Sequence, residues 1–268
     1  MAEENDEIDN NLKISENIEN NNEENENNKI SEENYDIKRN LSECEQYDKS
    51  LKVIVLGDSY VGKSSLINRL LHKKFSELSS TLSIEYHTYI TSVNNYKLRM
   101  QIWDTAGQEK FNSIISNYYK GTDVGIFLYS IDKEQSFHNI EMWFKNLKEN
   151  NENTLNILIG NKRDMENEDG GRVITFERAE KFAEDNNFYA FREITCKSED
   201  IEEMENIYEI FDDIGKYFYE KSKENKNNNE NENNSDINYV VSQSMMTLGK
   251  KHKIKQENEQ NKSKKKCC

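Results

Sequence analysis

From residue 51 onward, short apolar runs alternate with stretches of helical spacing. Leu51-Lys52-Val53-Ile54-Val55-Leu56 is a β-branched run closed by Gly57, the pattern of a buried strand. Ser65 to Leu71 has helical spacing. Tyr86 to Val93 and Lys97 to Trp103 read as two strands around Asn94-Asn95, a hairpin signal. Val124 to Ile131 and Leu155 to Ile159 are further buried strands. Between them, Glu134 to Glu149 places Phe137, Ile140, Met142, Trp143, Phe144 and Leu147 on a helical face. Thr175 to Asn187 predicts a helix with Thr175 as its N-cap. Phe188 to Ile194 reads as a last strand, and Ile201 to Tyr219 as a closing helix. This order predicts an α/β domain, a mainly parallel sheet covered on both faces.

The flanks lack this periodicity. Residues 1–47 read as a disordered, acidic, Asn-rich extension, 48–220 as the folded domain, and 221–268 as a disordered tail. Composition agrees. The whole chain is 34% apolar with a mean hydropathy of −1.03, low for a globular protein, but the deficit lies in the arms. The formal net charge of −15 divides into −11 over residues 1–50, −9 over 51–220 and +5 over 221–268. An acidic domain would repel phosphate backbones, so nucleic acid is not an expected partner. No apolar run reaches the length of a membrane span, and the acidic first residues lack the apolar region of a secretory signal. Cys44, Cys196, Cys267 and Cys268 show neither metal nor disulfide spacing, which fits a reducing cytosolic setting.

Three motifs fall at the ends of these strands. Gly57-Asp58-Ser59-Tyr60-Val61-Gly62-Lys63-Ser64 fits GxxxxGK[ST] between a strand and a helix. Its glycines let successive N–H groups face phosphate oxygens, and the helix from Ser64 and Ser65 adds its positive end. Lys63 can reach the β- and γ-phosphates, and the Ser64 hydroxyl can ligate Mg²⁺. Trp103-Asp104-Thr105-Ala106-Gly107-Gln108-Glu109 follows the second hairpin strand. There Asp104 can hold Mg²⁺, the Gly107 N–H can approach a γ-phosphate, and Gln108 can orient an attacking water as the catalytic residue. Asn161-Lys162-Arg163-Asp164 follows another strand. A carboxylate accepts from both N1–H and the 2-amino group of guanine; adenine lacks both donors, so Asp164 disfavours a P-loop ATPase or kinase.

This ordered set resembles the Ras superfamily of small GTPases over about residues 51–220. Lys110-Phe111, Asn117-Tyr118-Tyr119-Lys120-Gly121 and the terminal Cys267-Cys268 are most similar to the Rab family. The resemblance implies a three-layer P-loop fold, a six-stranded, mostly parallel sheet with five helices. It also implies a GTP/GDP switch in vesicle traffic with Mg²⁺ as cofactor. The implied partners are an exchange factor, a GAP, a GDI or escort protein and effectors, on a monomeric chain. By the same resemblance Phe75 matches the aromatic that stacks on guanine, and Thr195-Cys196-Lys197 the loop that approaches the guanine oxygen. Thr81 matches the Mg²⁺-binding threonine of the first switch, with Ser80 or Ser83 as alternatives if that loop is re-registered.

The chain departs from the pattern in places. Five residues, not six, separate Phe75 from Thr81, and Ser83 stands where a glycine is usual. Ser59 and the bulky Tyr60 fall in the phosphate loop, where they could slow hydrolysis by crowding Gln108. A rival reading follows, a GTP-binding membrane scaffold with little hydrolysis. The terminal Ser263-Lys264-Lys265-Lys266-Cys267-Cys268 looks like a double geranylgeranylation signal. Two chains anchor stably where one does not. Residues 250–268 add eight lysines against two acids, each lysine worth about 1 kcal/mol beside anionic lipid. The expected location is the cytoplasmic face of an intracellular membrane, cycling with the cytosol.

Overall fold

Two strands, β5 (Val124–Ser130) and β6 (Leu155–Asn161), are buried along their whole length and form the middle of the structure. Strands covered on both faces need unbroken apolar runs rather than alternation, which is what their sequences provide. This computed structural model describes residues 35–42, 46–75, 81, 84–105, 118–168 and 170–228. Its remaining elements are β1 (Ile37–Arg39), β2 (Lys49–Leu56), α1 (Lys63–His72), β3 (Glu85–Val93) and β4 (Tyr96–Asp104). After these come α2 (Glu134–His138), α3 (Ile140–Asn150), α4 (Phe176–Asp185), β7 (Ala190–Glu193) and α5 (Ile201–Asn228). All belong to the unit that starts at Asp36.

The strands form one sheet in the order β1-β3-β4-β2-β5-β6-β7. The pairs β4–β2, β2–β5, β5–β6 and β6–β7 are parallel; β3–β4 and β1–β3 are antiparallel. The β3–β4 hairpin turns at Asn94 and Asn95, whose φ values of 51° and 64° are the left-handed pair a two-residue turn requires. One face packs an aromatic layer: Phe127 meets Phe144 and Phe188 at ring centroid distances of 5.7 and 5.4 Å, and Tyr129 meets Phe137 at 4.9 Å. Thr175 caps α4 by accepting the Arg178 N–H.

Three boundaries differ from the sequence reading. The helix expected over Glu134–Glu149 is interrupted at Asn139, which caps α2 and precedes α3. The strand expected from Phe188 begins at Ala190, because Asn187, at φ 55°, still closes α4 and Phe188 packs into the aromatic layer. The helix expected to end near Tyr219 runs on to Asn228 as α5, where Lys223 pairs with Glu220 and lies 4.3 Å from the Tyr219 ring centroid. A fourth difference changes the topology. Residues 37–39, assigned to a disordered extension, form β1 and add a seventh strand beside the six expected. Their pairing uses main-chain groups and one arginine, so hydropathy carries no trace of it. Residues 1–34, 43–45 and 229–268 of the expected arms lie outside the described residues.

Candidate functional site

The ends of β2, β4 and β6 meet around the loop 57–64. Gly57 has φ 140°, and a Cβ there would overlap the Leu128 carbonyl oxygen. Gly62 has φ 102°, and a Cβ there would overlap the Asn161 amide. Both glycines are therefore fixed by backbone conformation and by space. Gly62 caps α1 with no side-chain bond to the first turn, so those N–H groups remain available to an anion. Lys63 is 6% exposed, and its Nζ donates to the carbonyl oxygens of Gly57 at 2.9 Å and Asp58 at 2.8 Å. Burial lowers its ammonium to about 8, against the pull of Asp104 and Asp58. A phosphate placed here would add negative charge at an ammonium whose hydrogen-bond partners among the described residues are carbonyls.

Asp58 does something the sequence did not show. Its carboxylate turns to α3, accepting from Asn139 Nδ2 at 2.7 Å and from the Trp143 indole N–H at 3.0 Å. Its main chain serves the loop, and its side chain anchors that loop to a helix. The only hint in the sequence was that a buried indole N–H needs an acceptor. Tyr60 sits in the loop at φ 66° and is 64% exposed, so its ring stands in solvent; Ser59 and Ser65 are half-buried and Val61 is buried.

Three side-chain oxygens converge beside Lys63. Ser64 Oγ lies 2.6 Å from Thr81 Oγ1 and donates to Asp104 Oδ2. Asp104 is 1% exposed, and its Oδ1 has no hydrogen-bond partner among the described residues. Burial raises its carboxyl pKa, opposed by Ser64 and Lys63. Two hydroxyls and a half-satisfied buried carboxylate form the donor set of a hard divalent cation. Ser80 and Ser83, the alternatives to Thr81, lie outside the described residues, as do Gly107, Gln108, Cys267 and Cys268. Thr105, next to Asp104, is held by its hydroxyl donating to the Val55 carbonyl at 2.6 Å.

The third motif starts where β6 ends. Asn161, 2% exposed, donates from Nδ2 to the Val61 carbonyl at 2.8 Å and so ties this loop to the phosphate loop. Lys162 takes φ 68°, and burial lowers its ammonium. The exposed Asp164 carboxylate accepts from Thr195 Oγ1 at 2.5 Å, and Thr195 in turn accepts the Lys197 N–H at 3.1 Å. Cys196 is 3% exposed, and burial pushes its thiol up to about 12. Arg69 of α1 links this loop to its own helix end, donating to the Ser198 carbonyl at 2.6 Å and the Lys73 carbonyl at 2.9 Å. Phe75 is half-buried just beyond α1.

A row of aromatic rings absent from the sequence reading runs out from this site. Tyr86, five residues after Thr81, meets Trp103 at 5.2 Å, and Trp103 meets Tyr118 at 5.2 Å. Tyr86 is 44% exposed, and Arg99 donates to its hydroxyl at 3.3 Å.

The domain has relatives among known proteins. The model of the Ras family matches residues 52–220. The Ras-related protein SEC4 of Saccharomyces cerevisiae is 36% identical over 181 residues, covering 67% of this chain and 80% of that protein. The GTP-binding protein ypt3 of Schizosaccharomyces pombe is 37% identical over 161 residues, 59% of this chain and 74% of that protein. The Ras-related protein RabQ of Dictyostelium discoideum is also 37% identical over 161 residues, 59% and 76% of the two chains.

Proposed function

We propose that this chain, which belongs to the Ras family and within it to the Rab GTPases, binds GTP and GDP between Lys63 and Asp164. It is a GTPase of vesicle traffic. The observation that carries the site assignment is the convergence of Ser64, Thr81 and Asp104 beside a buried lysine, in a loop that Asn161 ties to the Asp164 loop.

Each residue then has a defined task. Lys63 exchanges its two carbonyl partners for β- and γ-phosphate oxygens. The loop N–H groups from Asp58 to Ser65 surround the phosphates. Ser64, Thr81 and Asp104 would hold Mg²⁺, which supplies positive charge against the phosphate oxygens when bound. Asp164, turned by Thr195, accepts from the guanine edge. Asn161, Lys162 and the Cys196-Lys197 main chain line the base, and Phe75 covers its face. Gly107 and Gln108 serve the γ-phosphate and the attacking water. Intrinsic turnover by such an arrangement is slow, on the order of 10⁻⁴–10⁻² s⁻¹, and calls for a GAP. Thr81 couples the state of the nucleotide to β3, and Tyr86, exposed a few residues later, offers that state to effectors. Cys267 and Cys268 carry geranylgeranyl groups that hold the chain on a membrane, with an escort protein returning it to the cytosol.

The test is nucleotide competition on the purified full-length chain. Displacement of fluorescent GDP by GTP and GDP, Mg²⁺-dependent and at least a hundredfold better than by ATP, is the expected result. Equal displacement by ATP would refute it. Imaging a tagged chain with and without Cys267 and Cys268 tests the anchor; a soluble signal in both forms would sink it.

A further inference from the structure

The segment ahead of β2 is fastened to the domain at several points. The Asp36 N–H donates to Asn94 Oδ1 at 2.7 Å, and its carbonyl accepts the Asn94 N–H at 2.8 Å. β1 pairs with β3 from Ile37↔Val93 to Arg39↔Thr91, and Thr91 Oγ1 donates to the Lys38 carbonyl at 2.8 Å. The Leu41 N–H continues to the Ile90 carbonyl at 3.1 Å. Arg39 then leaves the sheet for α5. Its Nη2 donates to Asp212 Oδ2 at 2.5 Å, its Nε to both oxygens of the same carboxylate, and its Nη1 to Glu205 at 2.8 Å. The guanidinium also lies 4.7 Å from the Tyr208 ring centroid. Glu205, Tyr208 and Asp212 follow at helical spacing, one stripe of α5.

The same helix meets the guanine loop with its other side. Glu203 holds the Arg163 guanidinium, and the Arg163 N–H donates to the Ile194 carbonyl at 3.1 Å, one residue before Thr195. Two residues along a helix are about 200° of rotation, so Glu203 and Glu205 face nearly opposite ways. The start of α5 is thus held between two arginines, one in the N-terminal segment and one beside Asp164. Further along, Arg192 of β7 holds Asp213 at 2.6 Å. Without Arg39 the helix keeps its tie to β7 and its packing on β3, where Phe211 lies 5.7 Å from the Tyr89 ring centroid, and loses its charged tie to β1.

We propose that Arg39 is a positioning residue for nucleotide retention: by fixing α5 through Asp212 and Glu205, it keeps Glu203 where it steadies the Arg163-Asp164 loop against the base. The inference rests on the guanine-nucleotide reading above. It makes β1 part of the nucleotide-binding unit although it lies outside the residues matched to the family. A packed helix transmits displacement along its length, so loosening one face is felt at the loop its other face contacts.

The experiment measures release of fluorescent GDP from the Mg²⁺-loaded full-length chain, chased with excess GDP well below the melting temperature. Arg39→Gln and Glu203→Gln should each speed release about three- to tenfold. The double variant Arg39→Gln/Glu203→Gln should release no faster than the quicker single variant, because both act along one path. Arg39→Gln/Asp212→Asn removes the buried unpaired carboxylate; it should regain thermal stability while release stays fast. Arg178→Gln, which breaks an exposed pair with Glu134, is the control and should release as wild type does. The proposal is overturned if Arg39→Gln/Asp212→Asn releases GDP at the wild-type rate, or if Arg39→Gln melts earlier but releases GDP no faster than Arg178→Gln. Should Arg39→Gln not fold, the double variant and Glu203→Gln decide alone. A wild-type chain that does not hold GDP would instead refute the guanine reading, before any variant is compared.

Discussion

Replacing Asp164 by Asn should change which base the protein prefers, and the structure says by how much. The carboxylate has two acceptor oxygens, and Thr195 donates to one of them at 2.5 Å. Guanine presents two donors, N1–H and the 2-amino group, so both meet an acceptor. Each charge-assisted bond contributes about 1.5–3 kcal/mol. In Asp164→Asn the Thr195 hydroxyl still needs an acceptor and keeps Oδ1 on its side, which leaves Nδ2 facing the 2-amino group, donor against donor. Losing the bond to the 2-amino group costs about 1.5–3 kcal/mol, or roughly 10–10²-fold in GTP affinity. Xanthine carries an oxygen in place of the 2-amino group and matches one acceptor and one donor. The variant should therefore bind XTP better than GTP, read by displacement of a fluorescent nucleotide. XTP binding also shows that the variant is folded. A variant that keeps the wild-type ratio of GTP to XTP affinity would refute the role given to Asp164.

Other variants probe the rest of the site. Gly62→Ala should push Asn161 off Val61 and strain a φ of 102°, weakening GTP and GDP alike by roughly tenfold or more, seen in the same displacement assay. Trp143→Phe removes one of the two donors to the Asp58 carboxylate, and loss of that charge-assisted bond should lower thermal stability by about 1.5–3 kcal/mol; an unchanged melting temperature would count against the anchor. EDTA should speed GDP release by roughly tenfold or more in wild type and hardly at all in Ser64→Ala, whose release is already fast; an equal EDTA effect in both would remove Ser64 from the cation site. Cys196 is the pH prediction. Its folded pKa of about 12 lies above the ordinary thiol value, so the thiolate appears only as pH rises toward 12, and at pH 8 iodoacetamide should label Cys196 in unfolded but not in native protein, scored by peptide mass.

Sequence made legible what is local. The phosphate loop, the Asp104 turn and the Asn161–Asp164 loop each concentrate their chemistry in a few consecutive residues at strand ends, so spacing alone exposed them. The hairpin at Asn94-Asn95 was readable for the same reason. What spacing could not show was partnership across the fold. Trp143 sits on a helical apolar face and reads as core; only the folded chain shows its indole N–H on Asp58, 85 residues away. β1 was hidden more deeply. Its segment is short and lies within an acidic, Asn-rich stretch, and its stabilising contacts are a main-chain ladder and an arginine whose partner is 173 residues distant. Composition averages such a segment into the arm that precedes it.

The bond from Asn161 to Val61 has a consequence for how the site works as a switch. Asn161 belongs to the loop proposed to read the base, Val61 to the loop proposed to hold the phosphates, and a Cβ on Gly62 would overlap the Asn161 amide. The two loops therefore cannot shift independently. On the proposed reading, a base that seats well against Asp164 should hold Asn161 and with it the curve of residues 57–64, and a mismatched base should loosen the same tie. Asp58, fixed to α3 on the opposite flank, limits how far the loop can follow. Base identity should thus be felt at the γ-phosphate end. ITP, which keeps N1–H but lacks the 2-amino group, should dissociate faster than GTP and also be hydrolysed more slowly once bound. A hydrolysis rate from bound ITP equal to that from bound GTP, in single turnover, would show that the two loops act separately.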